Sequence, residues 1–164
     1  MLELVPETHP ILSIVIPSVD PETNVEHLSK EMFLIMWLNG GIGLAAPQVG
    51  MAVRMFVMGP QEGPNYVCIN PEIVAVSEDI ESSVEGCLSY PSLWLNIKRP
   101  EWVQARYTTL DGQIVEKKFE GLLARCYLHE LEHLDGKVFT AQSSKLGLQL
   151  ARVRQQKKLR KIKG

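Results

Sequence analysis

The chain has 164 residues, 45% of them hydrophobic, which is enough for one well-buried core and short for two domains. Its formal net charge of -2 creates no overall field that asks for nucleic acid. The three cysteines, Cys68, Cys87 and Cys126, are odd in number and far apart, so they form no disulfide framework and favour a reducing compartment.

Residues 1 to 24 carry four of the ten prolines and read as irregular chain. Glu3 and Glu7 stand where a signal peptide would be basic. A helix is expected from about Val25 to Leu38, with Asn39-Gly40-Gly41 as its stop. Its apolar run from Met32 to Leu38 is too short to span a bilayer. Cytoplasmic location and a single domain over residues 1–164 are therefore the default expectations. Val53 to Met58 reads as a strand, and so does Tyr66 to Val76, interrupted at Asn70-Pro71 because proline removes a ladder donor. Trp102 to Leu110 and Gln113 to Phe119 flank Asp111-Gly112, a strong hairpin signal. A helix spans residues 121 to 135 and ends at Gly136, and a last helix runs from Leu146 to Ile162. Strands cluster ahead of the 121–135 helix without regular strand–helix alternation, which predicts an α+β fold.

The charge is unevenly spread. From Lys145 to Gly164 there are eight Lys/Arg and no Asp/Glu, leaving nine basic against nineteen acidic side chains in the remainder. A solvated terminal helix is the plainer reading, and a docking surface for phosphates or an acidic partner is the sharper one.

The helix over 121–135 contains His129-Glu130-Leu131-Glu132-His133, an H-E-x-x-H pattern. Residues four apart share a helix face, so the two imidazoles can hold one borderline cation such as Zn2+ or Fe2+ while Glu130 moves protons. The pattern alone also fits two structurally satisfied histidines. A catalytic centre usually takes three protein ligands. After His133 the chain has no histidine or glutamate, and Asp135 is too near to close the site, so the third ligand must come from upstream. Cys87, in Glu85-Gly86-Cys87-Leu88-Ser89, is the best candidate because its thiolate is a strong ligand and Gly86 frees the backbone. Cys68 and Cys126 fit a buried structural role better, although Cys126 shares the His129 face and can wall a pocket. His9 and His27 have no comparable setting. The segment Gly41 to Gln48 permits close backbone approach, and the Gln48 amide can donate to an oxyanion; taken by itself the segment also reads as a tight turn entering a strand.

Together, Gly41 to Gln48, Glu85 to Ser89 and His129 to His133 closely resemble the G-x-G-L-A-A-x-Q, E-G-C-L-S and H-E-x-x-H segments of the peptide deformylase family, in the same order. The resemblance covers roughly residues 6 to 140. It implies antiparallel strands around a central metal-bearing helix, with an N-terminal and a C-terminal helix. It also implies removal of the formyl group from the N-terminal formylmethionine of nascent polypeptides, with release of formate. Fe2+ is the metal implied, with Zn2+, Ni2+ or Co2+ able to substitute. By matching position, Cys87, His129 and His133 are the implied metal ligands, Glu130 the acid/base, and Gln48 with the Leu88 N–H the oxyanion donors. Ile42, Leu122, Arg125, Cys126 and His129 fall where the family holds the methionine side chain, and backbone at Gly41 to Gly43 and Gly86 where it holds the peptide as an added strand. Ribosome contact through the basic C-terminal helix, a monomeric state, and no membrane or specific DNA binding complete the implied picture.

Four positions depart from the family pattern. Glu132 replaces an aspartate, Leu128 a glutamine and Tyr90 an aliphatic residue, and Gly40 stands where many members have an acid that pairs with the arginine matching Arg99. Arg99 is accordingly expected to lack its partner, and Glu132 to serve a supporting role. Two other functions share parts of the pattern: a metallopeptidase, disfavoured by Cys87 and by the absent downstream ligand, and a non-catalytic metal protein, disfavoured by the retention of Glu130 and Gln48.

Overall fold

The computed structural model describes residues 1–164. Its centre is Met55–Met58, four consecutive apolar residues that are all buried. Strand alternation sends Phe56 and Met58 to one side and Met55 and Val57 to the other, so this strand needs cover on both faces. It is β2 of a five-stranded antiparallel sheet built from β1 (Gly43–Ala45), β2, β3 (Tyr66–Val76), β6 (Trp102–Thr108) and β7 (Ile114–Glu120), in that spatial order. One face packs on α1 (Glu26–Leu38) through Met32, Met36, Leu44 and Val57. The other packs on α2 (Gly121–Leu134) through Phe56, Val103, Phe119, Tyr127 and Leu131. Tyr127 is wholly buried, and its hydroxyl donates to the Glu72 carbonyl at 2.8 Å, which satisfies the polar end of a large core side chain.

A separate two-stranded sheet, β4 (Ile80–Cys87) and β5 (Tyr90–Pro100), packs against α3 (Lys145–Lys163) and Phe139 around Tyr90, Leu93, Leu95 and Ile97. The α+β class, the central helix and both terminal helices match the sequence expectation. Two details differ. The strand from Tyr66 to Val76 is continuous, and Asn70-Pro71 appears as a register shift against β6, with Asn70 at φ 48. The hairpin Ile80–Pro100 has no counterpart in the elements read from the sequence.

Helix ends place the site. Gly41 N–H bonds the Met36 carbonyl and Gly40 N–H the Trp37 carbonyl, closing α1 in a Schellman motif with Gly40 at φ +71. That turn delivers the chain into β1. At the far end of α2, Arg54 donates to the carbonyls of Ile16 and Leu134 and pairs with Asp135 at 2.7 Å, so the last turn is tied to β2 and to the N-terminal segment. No helix is long and apolar enough to cross a membrane.

Candidate metal centre

Helix α2 carries His129 and His133 one turn apart on the face that looks toward the β4–β5 hairpin, and the end of β4 brings Cys87 to them. Cys87 Sγ lies 3.3 Å from His133 Nε2, which lies 3.2 Å from His129 Nε2. All three donor atoms fall within 4.8 Å of one another. Tetrahedral coordination at metal–nitrogen lengths of about 2.05 Å separates two donors by about 3.4 Å, so this spacing suits one small cation. Two imidazoles and a thiol are also the donor chemistry of a borderline metal with one position left open.

Glu130 is buried beside this set, and its Oε2 has no hydrogen-bond partner. Burial is the main cause that pushes its carboxyl up to about 7, with the charge of Glu85 adding to the rise. Gln48 is buried as well. Its Oε1 accepts from Ala45 N–H at 2.8 Å, which fixes the amide so that Nε2 reaches Cys87 Sγ at 3.4 Å and Ser89 Oγ at 3.1 Å. Leu88 sits in the two-residue turn between β4 and β5, and no backbone carbonyl accepts from its N–H.

Ile42, Gly43, Gly86, Leu122, Arg125 and Cys126 all line one cavity of about 530 Å3, which also reaches Cys87, Leu88, His129 and Glu130. Gln48 and His133 lie behind it. The Arg125 guanidinium donates to Glu85 and to the carbonyls of Ile97 and Glu81, so its charged end is bound to the hairpin. Gly43 has no room for a side chain, since a Cβ there would meet Cys126 Sγ and Glu130 Oε1 at 2.5 Å each. His9 instead accepts from Ile11 N–H and His27 pairs with Glu31 on the surface, while Cys68 is fully buried in the core.

The family model for polypeptide deformylase matches residues 1–149. The chain belongs to the polypeptide deformylase family.

Among its relatives, the peptide deformylase of Synechococcus sp. (strain RCC307) is 44% identical over 124 residues, covering 73% of this chain and 62% of that one. Peptide deformylase 2 of Gloeobacter violaceus is 46% identical over 119 residues, covering 70% and 64%. The matched segment thus spans less than two thirds of either relative's length. The crystal structure of a Synechococcus elongatus peptide deformylase in complex with actinonin superposes with a TM-score of 0.88 at 33% identity, covering 93% of this chain and 86% of that one.

One expectation drawn from the family pattern is corrected. Arg99 does not lack a partner for want of an acid at position 40. Its Nε and Nη2 donate to Glu85 at 2.7 and 2.9 Å, and its Nη1 and Nη2 donate to Glu132 at 2.8 and 3.2 Å. Gly40 serves the left-handed turn that ends α1, and Glu132 supplies charge to Arg99 from α2 itself. Glu85 was not singled out from the sequence, yet it joins the network to the candidate metal ligands by bonding His129 Nδ1 at 3.0 Å. Burial raises the Glu85 carboxyl, but the hydrogen bonds from His129 and Arg99 outweigh it and hold the group down at about 2. A carboxylate on the far nitrogen of a ligating imidazole fixes the ring and its tautomer. The inward period of two over Leu93, Leu95, Ile97 and Arg99 was the signal that could have shown Arg99 to be buried and therefore paired.

Proposed function

We propose that this chain removes the formyl group from the N-terminal formylmethionine of nascent polypeptides and releases formate, acting as one catalytic unit over residues 1–164. The observation that carries this reading is the cluster of Cys87, His129 and His133 at one cavity, which Cys87, His129 and Glu130 line and His133 backs, with Glu130 Oε2 lacking a hydrogen-bond partner and two free strand edges flanking the cavity. Cys87, His129 and His133 would hold Fe2+, with Zn2+, Ni2+ or Co2+ able to take the same site. When bound, the cation supplies Lewis acidity and makes water a nucleophile near neutral pH.

The chain's own residues do the rest. β1 and β4 each end a sheet, and the cavity between them is lined by Gly41 to Gly43 on one side and Val84 to Gly86 on the other. An extended peptide fits there as an added strand, with its methionine side chain directed to Ile42, Leu122, Arg125 and Cys126. Glu130 accepts a proton from the attacking water as the new carbon–oxygen bond forms. Its value near 7 suits both this step and the return of the proton to the amine when the carbon–nitrogen bond breaks. The Gln48 amide, already oriented by Ala45, and the Leu88 N–H donate to the oxyanion formed on the formyl oxygen. The basic face of α3 fits phosphate contact with the ribosome; binding of the full chain and of a chain ending near Gly147 should differ at low salt and converge as salt rises.

The test is anaerobic purification followed by metal analysis and formate detection in one preparation. Formyl-Met-Ala should release formate while an unformylated peptide stays intact. Cleavage of the unformylated peptide, or no formate from metal-loaded protein, would overturn the reading.

A further inference from the structure

The two faces of the β4–β5 hairpin differ sharply. Glu85, Leu95, Ile97 and Arg99 are buried, and Cys87 turns toward the histidines. Val84 and Gly86 on β4, paired with Asn96 and Trp94 on β5, form the opposite face. There Trp94 is 55% exposed and Val84 61% exposed, although both are large and apolar and both line the cavity. The register puts Trp94 directly across from Gly86. A Cβ on Gly86 would meet three carbons of the indole's benzo ring at 2.6 to 3.0 Å, so the absent side chain is what lets the indole lean over the strand. No charged side chain shares this face until Lys98, opposite Ser82. An apolar pair left open at a cavity mouth marks a surface that a ligand covers.

We propose that Trp94, with Val84 beside it, reads the residue that follows formylmethionine and favours a large apolar or aromatic side chain there. The inference rests on the deformylase reading and on the peptide lying as a strand along β4. In such a strand successive side chains point to opposite faces. The methionine enters the cavity, so the next side chain emerges on the face that carries Trp94 and Val84. An aromatic or branched apolar group gains contact with the indole there; alanine gains little, and aspartate meets no cation.

The test compares kcat/KM for formyl-Met-Phe-Ala, formyl-Met-Leu-Ala, formyl-Met-Ala-Ala and formyl-Met-Asp-Ala with wild type, Trp94→Phe, Trp94→Leu and Trp94→Ala. Aromatic contacts of this kind correspond to about threefold to tenfold in rate. The wild-type preference for Phe over Ala should be of that size. It should persist in Trp94→Phe, shrink in Trp94→Leu and fall close to one in Trp94→Ala. A ratio of two substrates is independent of how much enzyme is folded, so a purely structural role for Trp94 would leave it fixed. A wild type that hydrolyses all four peptides equally, or an unchanged ratio in both Trp94→Leu and Trp94→Ala, would overturn the Trp94 assignment while leaving deformylation intact. Failure of every formylated peptide to release formate would overturn both.

Discussion

Arg99→Met tests the charge network behind the candidate metal ligands. Arg99 is buried, and it alone joins Glu85 on β4 to Glu132 on α2. Breaking a buried ion pair by removing one partner costs about 3–5 kcal/mol, because the other charge stays desolvated. Here the loss is partly offset. Glu85 keeps Arg125 and His129 as donors, and the Glu132 side chain is 22% exposed and regains some water. The lower end, about 3 kcal/mol, is therefore expected. For a chain of this size about 2–4 °C of Tm accompanies each kcal/mol, giving a fall of about 6–12 °C. Glu132→Gln should cost no more than about 1 kcal/mol, since Arg99 retains both of its bonds to Glu85. Thermal and urea unfolding of both variants, run with and without bound metal, measure this directly. Metal affinity of Arg99→Met should fall about tenfold to a hundredfold through the loosened His129 ring. An Arg99→Met protein within 2 °C of wild type, with about 2 °C taken as the smallest shift that about 1 kcal/mol would cause, would refute the reasoning. So would a Glu132→Gln protein as unstable as Arg99→Met.

Glu130→Gln should retain metal by elemental analysis and lose about a hundredfold or more of formate release, the range associated with a positioned acid/base. Gly43→Ala forces a methyl against Cys126 Sγ and Glu130 Oε1, so formate release should drop together with a loss of a few degrees in Tm. Gly136→Ala combines φ +69 with backbone atoms of Ile14 at 2.7 to 3.0 Å from the new Cβ. It should cost at least about 2 kcal/mol in urea unfolding while metal stoichiometry stays the same.

The parts of the fold legible in the sequence are those with short-range signals. Asp111-Gly112 announced the β6–β7 hairpin because a left-handed glycine, at φ +81, closes that turn. The spacing of His129 and His133 announced a shared helix face, and the lack of any later ligand pointed back to Cys87. The β4–β5 hairpin escaped because Ser82, Ser83 and Glu85 give β4 a polar reading, and its inward residues bury charge as well as hydrocarbon. The pairing of Arg99 escaped for a related reason. Its partners lie 14 and 33 residues away on different elements, and no local pattern encodes a pairing across that distance. Asn70-Pro71 reads in the sequence as an interruption of the strand, whereas antiparallel pairing absorbs it as a register shift.

Ile16 N–H bonds the Leu134 carbonyl, Gly136 rests on the Ile14 backbone, and Arg54 grips both segments. During synthesis the N-terminal segment emerges first, yet its partners at the end of α2 emerge more than a hundred residues later. At translation rates of about 5–20 residues per second that is a wait on the order of ten seconds. Early in its own synthesis the protein is therefore a chain without closure, and its N-terminal segment docks only once the histidine helix has left the ribosome.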